Sequence, residues 1–473
     1  MISRVRNVVD GLRHALARRA TRVFPVLGIG AGVGAALFLG LSGSQPLQAQ
    51  TSYSYTGVAS CAGSTCHGRS EGNGAVVRQD EIATWQSPSG VSGAHSRAYA
   101  VVYASRGRQI TRALGYSAQD IAGNCLGCHS TPQTEGSRGP RYRGDEGVSC
   151  ESCHGAAAGW LESHYEVQGT HPNNVRNGMR ALENPQVRAQ VCLDCHYGSE
   201  DRGQFVTHSM MAAGHPRITF ELDLFSSFQQ HHDIDDDYVS RKGNTDSVQL
   251  WAVGQAEAVA RATSLFANPR FGQDGVFPQL YFYDCHSCHR QIYDRETHTG
   301  TFQTNPGRPI DFGQPPFNDE NIIMLSTVAD VLAPARADSF RAAARNFHAS
   351  MDQGWASSQE AARTLNAEAR ALSSALANRR TGGNDGFVVV ERIGSEAVSP
   401  RFTDYAGSVQ AVMAIDTMLN SMVTSGRITT GAAAGIRANI NRAYAAVEKP
   451  EEYRPAQFRE ALRAAVAAIG RLR

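Results

Sequence analysis

Lysine is almost missing from this 473-residue chain: only Lys242 and Lys449 occur, and arginine carries nearly all of the positive charge. The 45 basic and 44 acidic residues leave a net charge of +1. No concentrated basic run follows the N-terminal segment, which argues against nucleic acid as a main partner, since binding through phosphates needs a basic face. There is no Gly-rich dinucleotide fingerprint, no phosphate loop and no nucleophile elbow. Long apolar runs are scarce as well. The one that stands out, residues 24–41, follows Arg4, Arg6, Arg13, Arg18, Arg19 and Arg22 and precedes a small residue, Ala49. That order reads as a secretory signal peptide over residues 1–49, with an uncleaved membrane anchor as the alternative. Either reading puts the body of the protein outside the cytoplasm, in the periplasm. Length and a 41% hydrophobic content suffice for a sizeable core and about two or three domains.

No cysteine is left over for a disulfide framework. All ten fall into five pairs, and a histidine follows the second member of each: Cys61/Cys66-His67, Cys125/Cys128-His129, Cys150/Cys153-His154, Cys192/Cys195-His196 and Cys285/Cys288-His289. Cys-x-x-Cys-His attaches c-type haem: two thiols one turn apart bond the porphyrin and the adjacent histidine reaches the iron. A zinc ribbon of Cys125, Cys128, Cys150 and Cys153 has acceptable spacing. It leaves the histidines unexplained, as do local disulfides and thioredoxin-like pairs. Repetition selects haem. The first pair has four residues between its cysteines, not two. A histidine in the expected place makes it a fifth haem site with a stretched loop, so five covalent haems are expected.

Six-coordinate irons need further ligands. Outside the motifs and the signal, the chain offers His95, His164, His171, His208, His215, His231, His232, His286, His298 and His348. Histidine is costly to bury unpartnered, so several of these read as second ligands. His208 and His215, seven apart in THSMMAAGHPR, share a face if that segment is helical and are candidates for two different irons. His171, His298 and His348 read as surface or core residues, and His286 sits inside its own motif. The acidic run HHDIDDDY, from His231 to Tyr238, lacks the alternation of a calcium loop and reads as a solvated surface. Its two histidines are candidates for a neighbouring iron.

The order SCAGSTCHG, Trp85 with AHSRAY around His95, NCLGCH, GVSCESCHG, then His164 and VCLDCH resembles the multihaem family of cytochrome c-554. The likeness covers about residues 58 to 200. It implies a tetrahaem electron carrier, closely stacked haem pairs, His95 and His164 as second ligands, and one iron, at the second motif, without a strong second ligand. The family's partner, hydroxylamine oxidoreductase, is not implied with the same force. This chain stretches the first motif, adds a fifth and continues into a cysteine-free C-terminal region.

The fold expected is mainly α with much irregular structure: a multihaem cytochrome c core, residues 50–300, wrapped around stacked haems, a Pro-rich linker, 301–319, and a C-terminal helical bundle, 320–473. The segment from Asp246 to Phe266 predicts a helix that buries Leu250, Val253, Val259 and Leu265. Ser357 and Glu360 have the spacing of a capping box. Three apolar stripes follow: Tyr405, Val409, Val412, Ile415, Leu419 and Met422; Ile436, Ile440, Tyr444 and Val447; Phe458, Leu462, Val466 and Ile469. Met413, Met418 and Met422 read as core, not as iron ligands. The piece FVVVERI predicts a strand between helices.

The function expected is electron transfer between redox proteins through closely spaced haems. The alternative is an oxidoreductase in which one open iron binds a small nitrogen or sulfur compound, with Arg141 and Arg143 as candidate proton-handling neighbours. A third reading gives the C-terminal helices a role in oligomer contacts.

Overall fold

The computed structural model describes residues 53–72, 77–131, 135–243, 246–275, 277–289, 307–311, 314–399 and 405–473. The signal-like segment, His298 and part of the Pro-rich linker lie outside them. Thr51–Arg473 form one compact unit. It is mainly helical; among the described residues the only sheet is a two-stranded antiparallel pair, Gln273–Asp274 with Phe277–Pro278. No described helix is long and apolar enough to cross a membrane.

The two halves are built differently. Between Val58 and Trp160 the α-helices run only four to nine residues. Buried apolar side chains there are few, among them Val58, Ile82, Val102, Ala157 and Trp160. The continuous hydrophobic cluster begins at Ala189 and runs to Ile469. A segment with so little apolar side-chain burial needs another source of buried surface to offset its ordering entropy. That segment carries the first three cysteine pairs.

Ser247–Ala267 joins the halves. Asp246 caps it, accepting from Gln249 N at 2.9 Å. Leu250, Val253, Val259 and Leu265 are buried as the sequence predicts, and Trp251 and Phe266 with them. Buried nearly all round, this helix packs along Trp355–Ala377 on one side and against Pro185–His196, which carries the fourth motif, on another.

The C-terminal region consists of Glu320–Leu332, Pro334–Ser350, Trp355–Ala377, Asp385–Ala397, Tyr405–Thr424, Thr430–Ala446 and Pro455–Gly470. Pro334 and Pro455 stand at first helical positions, where the missing N–H costs nothing. The apolar stripes face inward: Val412, Ile415, Leu419, Ile440, Phe458, Leu462 and Ile469 are fully buried. Met413, Met418 and Met422 sit in the same core.

Three local expectations change. FVVVERI is helical, within Asp385–Ala397, because Val389, Val390, Ile393 and Ala397 fall on one face that packs against Tyr405–Thr424 and Pro455–Gly470. Tertiary burial overrides the β-branched preference. Ser357 does not cap a helix: the helix starts at Trp355 after Gly354, whose φ of +90° suits glycine. Ser358 Oγ bonds back to Gly354 O and Ser350 O instead, and Glu360 pairs with Arg363. His208–Ala212 ends before His215, so His208 and His215 do not share a helical face.

Leu365, fully buried in the centre of Trp355–Ala377, tests how much the helical core contributes. Leu365→Ala is expected to cost about 2–5 kcal/mol in denaturant unfolding, whereas exposed Arg363→Ala on the same helix stays within about 0.5 kcal/mol.

Candidate haem centres

The motifs share one closure. His129 N donates to Cys125 O at 3.1 Å and His289 N to Cys285 O at 2.7 Å. In the stretched first motif His67 N still reaches Cys61 O, at 3.2 Å, while a bond from Cys66 N to Gly63 O at 2.9 Å takes up the two extra residues in a turn. The third and fourth motifs close the helices Cys150–His154 and Pro185–His196. None of the ten cysteines is in a disulfide. Gly127, inside the second motif, has no room for a side chain, because a Cβ would lie 2.6 Å from the backbone of Arg202 and Gly203.

Each motif histidine faces another histidine. Ring centres are 6.3 Å apart for His67 and His164, 6.2 Å for His129 and His215, 6.2 Å for His95 and His196, and 6.2 Å for His208 and His289. His154 faces two rings, His231 and His232, each at 6.1 Å. The ligand atoms of those three lie within 4.8 Å of one another. Two imidazoles binding one ion through bonds of about 2 Å each put their ring centres roughly 6 Å apart. The residues present therefore fit a metal held between paired rings.

Orientation agrees. The Nδ1 of His129 donates to Ala98 O at 2.8 Å, of His164 to Leu161 O at 2.6 Å, of His215 to Pro216 O at 2.8 Å and of His231 to Gln229 O at 2.7 Å. Each bond fixes the tautomer and leaves Nε2 for a metal. Burial pushes His196 and His231 down to about 4 and lowers His95, His129, His154 and His215. A neutral imidazole is the form that ligates. His67 differs: its Nδ1 meets the Glu81 carboxylate at 3.0 Å, and that bond raises its pKa.

The structure sets His215 opposite His129, where the resemblance implied no strong second ligand. His164 lies opposite the first motif, His95 opposite the fourth and His208 opposite the fifth. His171 instead pairs with Glu183 at 2.7 Å, and His348 with Asp319 at 3.3 Å. His286 Nδ1 donates to Pro450 O at 3.0 Å and its ring packs on Tyr453. Arg143 forms an exposed ion pair with Asp145. In the acidic run, Asp235 caps the helix Asp236–Lys242 by accepting from Tyr238 N.

Several supporting residues escaped the sequence reading. Glu151, inside the third motif and buried, accepts from Thr56 N, Gly57 N and Ala157 N at 2.7–2.9 Å. It thereby pins the chain leading into the first motif against the third. Accordingly the Cys61 and Cys150 thiols are neighbours, Cys150 holding the first pKa down and Cys61 pushing the second up. Cys128 and Cys195 interact likewise, and Gln204 Nε2 bridges Gly127 O at 3.0 Å and Cys195 Sγ at 3.7 Å. At the fifth motif, half-buried Arg217 donates to Cys285 Sγ at 2.7 Å. Asp284 N bonds Pro316 O at 2.9 Å and Asn318 N bonds Phe282 O at 2.7 Å, so the end of the Pro-rich linker, just ahead of the C-terminal helices, holds this motif.

None of the curated proteins or solved structures compared with the chain matches it. The family of cytochrome c554 and c-prime matches residues 60–155, from the first cysteine pair through the third. Matched there and repeating the same attachment chemistry beyond, the chain is a multihaem c-type cytochrome of electron transfer, with covalently bound haem c, that resembles cytochrome c-554.

Proposed function

We propose that the protein is a periplasmic pentahaem cytochrome that passes electrons between redox partner proteins. The observation that carries this reading is the facing of every motif histidine by a second histidine at 6.1–6.3 Å. When bound, haem c supplies an iron that alternates between ferric and ferrous states. The chain's own part is to attach and saturate it. Cys61, Cys66, Cys125, Cys128, Cys150, Cys153, Cys192, Cys195, Cys285 and Cys288 are the thioether positions, and His67, His129, His154, His196 and His289 the first ligands. His164, His215, His231, His95 and His208 supply the second ligands in that order. Two imidazoles per iron leave no position for a substrate, which favours a carrier over an oxidoreductase.

The attachment sites also form a continuous row. The first adjoins the third, where Glu151 of the third motif holds Thr56 N and Gly57 N just ahead of the first; the third adjoins the fourth, where the helix Cys150–His154 packs on Pro185–His196; the fourth adjoins the second, where Cys195 Sγ donates to Gly127 O at 3.8 Å. Cys128 Sγ donates to Gly203 O at 3.5 Å, and Phe205, two residues on, packs on Tyr281 just ahead of Cys285, which brings the second and fifth together. Cys66 and Cys288, the two exposed cysteines, belong to the first and fifth sites, the ends of that row. This suits entry and exit of electrons at opposite ends. The apolar stripes of the C-terminal helices are buried within the chain, which favours support of the fifth site over a subunit contact.

An intact mass of the matured protein is expected to carry five haems; four would remove the stretched motif from the set. Native protein, reduced, is expected not to bind carbon monoxide. His215→Ala opens one iron, so one carbon monoxide per chain is expected to bind that variant, measured by the absorbance change on titration. Binding to the native protein would bring the oxidoreductase reading to the front.

A further inference from the structure

Glu81 lies between two of the centres. Its Oε2 is 3.0 Å from His67 Nδ1 and its Oε1 3.7 Å from His232 Nδ1, with the side chain 7% exposed. In the other bonds that tie facing histidines through Nδ1, at His129, His164, His215 and His231, the acceptor is a backbone carbonyl. The difference is chemical. A neutral carbonyl orients the ring, whereas a carboxylate draws the Nδ1 proton toward itself and makes Nε2 a stronger electron donor. A stronger donor and a nearby buried negative charge both favour the ferric over the ferrous state.

We propose that Glu81 is a positioning residue for the first centre: its carboxylate, acting through His67, makes the iron held there the last of the set to accept an electron. The proposal rests on the ligand reading above. It gives the row of sites a direction, with its least easily reduced member at one exposed end. Glu81 touches His67 and not the metal, so the effect belongs on the potential, not on haem attachment.

The test is a potentiometric titration of the full-length matured protein followed by EPR. Rings at the first and fifth motifs lie at 14° and 33° to each other, against 70–86° at the remaining three. Near-parallel ligand planes split the iron d orbitals and give ordinary rhombic low-spin signals; near-perpendicular planes leave two orbitals almost degenerate and give strongly anisotropic ones. The last centre reduced is expected to be rhombic, and a strongly anisotropic one in that place overturns the proposal. In Glu81→Gln, which keeps the side-chain shape and removes the charge, that one centre is expected to shift to a more positive potential while Glu81→Asp stays near the native value. No shift, or an equal shift of all centres, overturns it. Absence of haem on Cys66 in the intact protein defeats the ligand reading itself and is seen in the mass before any potential is measured. Should Glu81→Gln fail to mature, a strongly anisotropic centre reduced last in the native titration still overturns the proposal, and Glu81→Asp, which keeps the charge, is expected to leave the rhombic centre last.

Discussion

Everything in the N-terminal half depends on holding pairs of imidazoles a fixed distance apart. An unligated buried imidazole has lost its water and gained nothing in return. The chain brings such rings together repeatedly and anchors several of them through Nδ1. Short helices, sparse apolar burial and a wealth of irregular backbone follow from that requirement. A segment that is to surround large rigid groups needs attachment points and ring anchors more than it needs a side-chain core of its own.

The C-terminal helices are the complementary solution. They bury continuous stripes against one another and extend through Ser247–Ala267 to the helix that ends in the fourth motif. Their margin, from Pro316 to Asn318 and again at Pro450 and Tyr453, also holds the fifth motif. Thr417 Oγ and Gln410 Nε2 bind Glu221 and Phe220 O at 2.7 and 2.9 Å, beside the aromatic ring that packs on His196. A region without cysteine therefore contributes to the centres by positioning, not by ligation.

The motifs were legible because thioether attachment imposes a local spacing that repeats, and the helical stripes because a period of 3.6 is local too. Pairing of rings was not. His67 meets His164, and His95 meets His196, through long-range folding that no spacing encodes; the surplus of histidines announced that partners exist, and the resemblance pointed to His95 and His164 without saying which motif each meets. His215 opposite His129 departs from what the resemblance implied. Glu81 and Glu151 carry no sequence signal beyond being acidic, and their roles come from the burial that surrounds them. FVVVERI read as a strand because three valines in succession look the same in isolation whether their neighbours are strands or helices.

The most direct test of paired imidazoles at every centre is the EPR spectrum of the oxidised, fully matured protein, recorded alone and with nitrite, hydroxylamine and nitric oxide. The account predicts low-spin signals only, of both the rhombic and the strongly anisotropic kind, with nitrite and hydroxylamine leaving them unchanged and no iron-nitrosyl signal at substoichiometric nitric oxide. A high-spin signal that shifts when one of these ligands is added would contradict it.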